Sequence, residues 1–229
     1  MKKFELTNEF ITNMFGTKLF RIRALVEFGD VEAGELGGYV EKESNLGHDD
    51  NAWMYDNAWV YGDAQVSGDA LVYDNARVYG NARVYDNAWV YGNARVYGDA
   101  RVYGDARVCG NALVYDNAWV YDNAWVYGNA QVSGDARVCG DARVCGNGDY
   151  AYAHGFGSVN RTTTFFRLKD GGVGVRCGCF YGTLAQFRDK IRETHGETKK
   201  AQEYLMLADL MELRFEEDEN EVGNRKYVE

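Results

Sequence analysis

The stretch whose reading decides the fold begins Asn51-Ala52-Trp53-Met54-Tyr55-Asp56 and ends Asp141-Ala142-Arg143-Val144-Cys145-Gly146. Between those ends one hexapeptide, [Asn/Asp]-Ala-x-Val-[Tyr/Ser/Cys]-[Gly/Asp], is written sixteen times without an insertion. A fixed short period means that each unit is stable only against its neighbours. Ala and Val stand two apart, so in an extended segment they face one side while x and Tyr face the other. Ala-x-Val-Tyr is therefore a short strand with a small apolar inside and a polar or aromatic outside. The Gly-Asp, Gly-Asn or Asp-Asn pair that follows is a corner, since these residues tolerate left-handed backbone angles.

Three such strands and three corners close a triangle, and successive coils stack as parallel strands roughly 4.8 Å apart. A small residue, a variable residue and an aliphatic one in every hexad from Asn51 to Gly146 resembles the hexapeptide-repeat, left-handed β-helix family. Pentapeptide-repeat proteins need a period of five, and the period here is six throughout. The left hand is implied by the resemblance; the repeat pattern alone implies the triangle. The expected fold is mainly β: a left-handed parallel β-helix, a triangular solenoid of about five to six coils, with an N-terminal cap and a C-terminal ββαα domain.

Residues eighteen apart share a face. One face carries Trp53, Leu71, Trp89, Arg107, Trp125 and Arg143 at x. The second carries Trp59, Arg77, Arg95, Leu113 and Gln131, and the third Gln65, Arg83, Arg101, Trp119 and Arg137. The prism admits little beyond Ala and Val inside, with Met54 the one larger residue.

Outside the regular hexads the chain divides by pattern. Residues 1–36 are not repetitive and are expected to cap the first coil, whose end would otherwise be an unpaired sheet edge. Gly38-Tyr39-Val40 and Ser44-Asn45-Leu46 repeat the triplet in degenerate form, which extends the β-helix to 37–146. Within 147–215, Arg161–Leu168 and Val173–Phe180 read as two strands around the turn Lys169-Asp170-Gly171-Gly172. Thr183-Leu184-Ala185-Gln186 has the capping-box pattern that opens a helix, and a second helix follows from about Thr198 to Phe215. The apolar faces of these helices are expected to cover the last coil. The acidic stretch 216–229 is expected to be disordered.

The 229 residues carry a net charge of −10 and no proline, which suits strands that all need their N–H groups. That charge argues against nucleic acid and anionic membrane as partners. No transmembrane run occurs, and Met1-Lys2-Lys3 is followed by no apolar core, so the expected location is the cytoplasm. The five cysteines lack metal spacing and read as free thiols. No metal or cofactor is expected.

Several functions compete. The family resemblance implies a trimeric acyltransferase using acyl-CoA, in which a His acts as general base. Only His48 and His154 are candidates for that role, and neither lies in the regular hexads. An acidic β-helix acting as a DNA mimic is a further alternative. The uneven Trp and Arg at x suggest instead a binding or scaffold surface. Trp53, Trp89, Trp125, Tyr91 and Tyr127 form a candidate face for a homo-oligomer, dimer or trimer, or for a partner. Arg161, Thr162, Thr163, Thr164, Arg167, Lys169 and Arg176 on the C-terminal hairpin form a candidate anion site. Leu-Gly-Gly-Tyr-Val-Glu-Lys-Glu ahead of the array and Arg-Thr-Thr-Thr-Phe-Phe-Arg behind it resemble uncharacterised hexapeptide-repeat proteins of phages and prophages. That resemblance implies an accessory factor, including counter-defence, that binds a host protein or a small anionic ligand.

Overall fold

The computed structural model describes residues 2–157 and 160–216. The acidic tail therefore lies outside the described residues from position 217 on. The chain opens with β1 (Phe4–Thr12), β2 (Lys18–Ala24) and β3 (Leu36–Val40). Sixteen two-residue strands follow, one per hexad, from β4 (Trp53–Met54) through β5 (Trp59–Val60) and β6 (Gln65–Val66) to β17 (Gln131–Val132), β18 (Arg137–Val138) and β19 (Arg143–Val144). They stack every third strand in parallel register, with Trp89 opposite Leu71 and Arg107, and Arg101 opposite Arg83 and Trp119. The result is a parallel β-solenoid of about six turns with three faces.

The interior of the regular hexads is Ala and Val, all fully buried, together with Met54. Each buried Val contributes about 1.5–3 kcal/mol by removal from water, which is how strands of two residues persist. The residue that ends each hexad but the last takes the left-handed backbone, at φ 55–59° for Asp56, Asp74, Asp86, Asp116 and Asp122. Glycine holds the other such corners, and a Cβ on Gly68 would lie 2.6 Å from the backbone nitrogen of Asp86 in the next coil. Where Asp is used, its carboxylate accepts from the matching corner N–H of the next coil, as Asp74 Oδ2 does from Gly92 at 2.9 Å.

The ladder leaves different groups open at its two ends. Trp53, Tyr55 and Asn57 donate their N–H groups to Ala70, Val72 and Asp74 of the following coil, and the pattern recurs along the array. The first coil consequently presents carbonyls and the last presents N–H groups. Donors close the first end. β3 pairs with β5, placing the N–H groups of Tyr39 and Glu41 on Ala58 and Val60, and Leu46 bridges to Val66. Asn45 donates its side-chain amide to the carbonyls of Gly62 and Ala64 at 3.0 and 2.8 Å. The Lys3 ammonium donates to the carbonyls of Asp50 and Ala52 at 2.6 and 2.8 Å. Its burial lowers its pKa to about 8. Acceptors close the other end: Asn147 Oδ1 on the N–H of Gln131, Thr164 Oγ1 on that of Arg137, and Asp149 Oδ2 on those of Cys145 and Gly146.

Beyond the solenoid lie β20 (Tyr150–Phe156), β21 (Arg161–Arg167), β22 (Val173–Cys177), β23 (Phe180–Thr183), α1 (Leu184–His195) and α2 (Lys199–Phe215). The sheet has four antiparallel strands, where the sequence reads only two. β20 is masked in sequence by its Gly and aromatic content, and β23 by its overlap with the helix start. The helices do not cover the last coil as expected. They pack on one face of this sheet through Phe187, Ile191, Tyr204 and Met211 around Phe165 and Val175. The opposite face, with Tyr150, Phe166 and Leu168, joins the solenoid core. Alternation along β21 makes this possible, because neighbouring residues point to opposite faces.

Asn45→Ala uncaps two buried carbonyls at once, and an unsatisfied buried group costs about 1–3 kcal/mol. The expected outcome is a clearly lower melting temperature with unchanged secondary structure, measured by circular dichroism.

Candidate binding surface

The outward residues fall into columns whose side chains stack on one another. Tyr61, Tyr79, Tyr97 and Tyr115 form one continuous pile, with ring centroids 4.9–5.1 Å apart and planes within 4° of parallel. Tyr85, Tyr103 and Tyr121 form a second at 4.9 Å, and Tyr73 and Tyr91 a shorter one at 4.8 Å. The spacing is that of the strands themselves. Burial raises the phenol pKa of Tyr61, Tyr73, Tyr79, Tyr85 and Tyr97, and that of Tyr103 to about 12. Tyr91 and Tyr121 are pushed up further, first by burial and then by hydrogen bonds to Cys109 and Cys139.

The uneven Trp and Arg at the x position resolve into cation–π ladders. The Arg107 guanidinium lies between the rings of Trp89 and Trp125, at 4.7 and 5.0 Å, and Arg143 covers Trp125 at 4.5 Å. Trp119 is flanked by Arg101 and Arg137 at 4.8 and 4.5 Å, and Trp59 is covered by Arg77 at 4.1 Å. Every Arg in these contacts is half-buried. Arg83 and Arg95 are the exposed exceptions. Among the described residues neither guanidinium has an ion pair, hydrogen bond or ring contact.

The tryptophan face needs correction at one member. Trp53 is fully buried and not available to a partner. The N-terminal cap covers it, with Phe28 and Phe4 edge-on at 5.3 and 6.4 Å. Trp89, Trp125, Tyr91 and Tyr127 remain half-exposed.

The C-terminal cluster does not converge either. β21 sends Arg161, Thr163 and Arg167 to the helix side of the sheet and Thr162 and Thr164 to the solenoid side. Thr163 is buried and donates to Cys177 Sγ at 3.2 Å. Thr164, also buried, caps Arg137. Arg167 is a structural tie, 3.5 Å from Asp149 and donating to the carbonyls of Gly171 and Phe215. Arg176 lies 5.9 Å from the Tyr121 ring. Only Arg161, at the mouth of a cleft of about 280 Å³ with Cys177, Phe187, Lys190, His195 and Tyr204, and Lys169, exposed in its turn, stay available.

Of the two candidate bases, His48 is built into the cap. Its Nδ1 accepts from the Lys3 N–H at 3.2 Å, its Nε2 sits 2.9 Å from Glu43, and its ring stacks on Phe4. His154 is exposed, with Nδ1 2.9 Å from Thr162 Oγ1. The corner carboxylates, which a DNA mimic would offer outward, are partly committed to the ladder, as Asp99 and Asp105 accept from Asn81 and Asn87 at 3.0 Å. Cys109, Cys139, Cys177 and Cys179 are free thiols, and burial raises Cys139 to about 11. Among the described residues no group of His, Cys, Asp and Glu could hold a metal ion, and no helix is long and apolar enough to cross a membrane.

The phenol shifts give alkaline pH a definite sign. A phenol whose folded pKa is raised stabilises fully below its ordinary value of 10 and loses that contribution as pH rises through the folded value, about 12 for Tyr103. Lys3, lowered from 10.5 to about 8, acts oppositely but is spent by pH 10.5. The melting temperature is therefore expected to fall between pH 10.5 and 12, tracked by phenolate absorbance.

Residues 64–146, in seven overlapping segments (64–78, 76–92, 88–104, 94–110, 106–122, 118–134 and 130–146), match the family model described as the YdcK beta solenoid repeat. That match covers just over a third of the chain. No curated protein matches the sequence. The repeats are thus similar to YdcK beta solenoid repeats, and the fold they build is a β-solenoid.

Proposed function

We propose that the chain is a non-enzymatic binding scaffold of the hexapeptide-repeat kind, in which the solenoid is a ruler and the uncommitted outward side chains are the reader. One observation carries this reading. Of the Arg residues at hexad position three, all but Arg83 and Arg95 are stacked on Trp. Those two are held by the ladder yet left open to solvent. A guanidinium with no contact to break can pair bidentately with a carboxylate or phosphate, which favours an anionic ligand or an acidic patch of a protein. A phage or prophage accessory role acting on a host protein in the cytoplasm is the setting that the resemblance of the flanking segments suggests.

Recovery of whatever co-purifies with the chain from its native cells, followed by mass spectrometry, tests the reading. An anionic species stoichiometric with the chain, and lost when Arg83→Glu and Arg95→Glu are combined, is expected. Equal recovery with both charges reversed would sink the proposal. Of the two candidate bases for the acyltransferase alternative, His48 has both ring nitrogens engaged.

Self-association belongs to the same reading. The column of Trp89 and Trp125, with Tyr91 and Tyr127 beside it, is a half-exposed stripe of aromatic edges. Light scattering is expected to show a dimer or trimer that falls to a monomer when Trp89→Ala and Trp125→Ala are combined. An oligomer that survives both substitutions would place the interface elsewhere.

A further inference from the structure

The columns carry a small residue in the Tyr position at five places, Ser67, Cys109, Ser133, Cys139 and Cys145, and these interruptions are not equivalent. At Ser133, which would extend the pile ending in Tyr115, Tyr150 enters from the C-terminal sheet and donates to the carbonyl of Gln131. Tyr152 occupies the space a Cβ on Gly134 would take. At Cys139, below Tyr121, the hydroxyl of Tyr181 fills the space beside Gly140. Tyrosine hydroxyls from another element thus occupy space beside two of the missing rungs.

Ser67 interrupts the other end of the Tyr85–Tyr103–Tyr121 pile. Its N–H bonds the Val84 carbonyl at 3.0 Å, so Ser67 sits in register above Tyr85. The rung beyond it is Gly47, whose absent Cβ would lie 3.4 Å from Ser67. Two successive rungs therefore lack a ring, and no aromatic side chain of the described residues enters. What remains is a polar cleft of about 440 Å³, lined by Gln65, Ser67, Arg83, Tyr85 and Arg101 together with Asp50 and Asp86. That volume lies in the range of about 300–1,000 Å³ typical of small-molecule sites.

We propose that this notch binds a planar aromatic ring bearing one anionic group, of the nucleoside monophosphate class. The ring takes the place of the missing tyrosine and continues the pile on Tyr85. Stacking of a base on an aromatic side chain contributes about 1–3 kcal/mol. The anionic group meets Arg83, which register places directly between Gln65 and Arg101. Arg101 is already stacked on Trp119, whereas Arg83 is exposed and without a partner. Two guanidinium groups on adjacent rungs repel each other, and an anion between them removes that cost. Gln65 and Ser67 supply neutral donors and acceptors for the ring edge. Asp50 and Asp86 in the lining oppose any ligand that carries further negative charge. The inference rests on the scaffold reading in using Arg83, but it commits that residue to one pocket.

Calorimetric titration of the full chain tests it, using adenosine monophosphate, adenosine and inorganic phosphate as separate probes. Adenosine monophosphate is expected to bind at least about tenfold more tightly than either part, because ring and anion are held at once. Arg83→Gln is expected to remove that advantage while leaving adenosine unchanged. Ser67→Tyr is expected to abolish binding of both by completing the pile, with a melting temperature equal to or above that of the parent. Failure of the nucleotide to bind, or binding unaltered by Arg83→Gln, would overturn the notch. Arg83 is exposed, so that variant folds even if Ser67→Tyr does not. Binding lost through Arg95→Gln instead overturns the notch while preserving the scaffold reading.

Discussion

The backbone ladder between coils is the constraint on which everything else depends. Each coil donates most of its outward-running N–H groups to the carbonyls of the next, so the strands can be as short as two residues and still pair. The arrangement has a direction. One end of the solenoid is left short of donors and the other short of acceptors, and buried backbone groups left unpaired are costly. The ends of this chain answer that asymmetry in kind. An ammonium, an amide and backbone N–H groups close the first coil, whereas a hydroxyl, an amide oxygen and a carboxylate close the last. The N-terminal hairpin continues one face of the prism as further strands, and the C-terminal sheet lies across the end.

A ladder in strict register also fixes what happens outside it. Side chains eighteen residues apart are forced to within a strand spacing of each other, and most columns are filled by neighbours that attract. Tyrosines pile, Trp alternates with Arg, and corner amides bond corner carboxylates. Most of the surface chemistry is consumed in this way. The residues worth asking about are those the columns leave over, chiefly Arg83, Arg95 and the gap at Ser67. An outward Trp on this fold is half-covered by guanidinium groups before any partner arrives, which narrows an interface built on Trp89 and Trp125 to ring edges.

Legibility followed range in sequence. The solenoid, its three faces and their columns could be read from positions alone, because period six sets alternation, corners and stacking together. Asn45 and Leu46 were readable as a degenerate hexad by the same rule. The candidate site was much less legible. Trp53 obeys the hexad and yet is buried, since the cap that covers it is joined by contacts from Phe4 and Phe28 far along the chain. The charged and hydroxylated run Arg161–Arg176 reads as one cluster only when the alternation of β21 is ignored, which sends Thr164 to cap the solenoid and Arg167 to tie the end of α2. The notch at Ser67 was invisible, because a Ser in the Tyr position looks the same at Ser67 and Ser133. Only the placement of Tyr150 distinguishes them.

The sequence by itself therefore determined the repeating geometry: strand, corner, interior and column, all of which are local consequences of six residues and their spacing. The tertiary structure alone decided how the two ends are closed and which outward groups remain open. Those outcomes depend on where non-repetitive segments return to the solenoid, and a contact between Lys3 and Ala52, or Tyr150 and Gln131, leaves no periodic trace for the sequence to display.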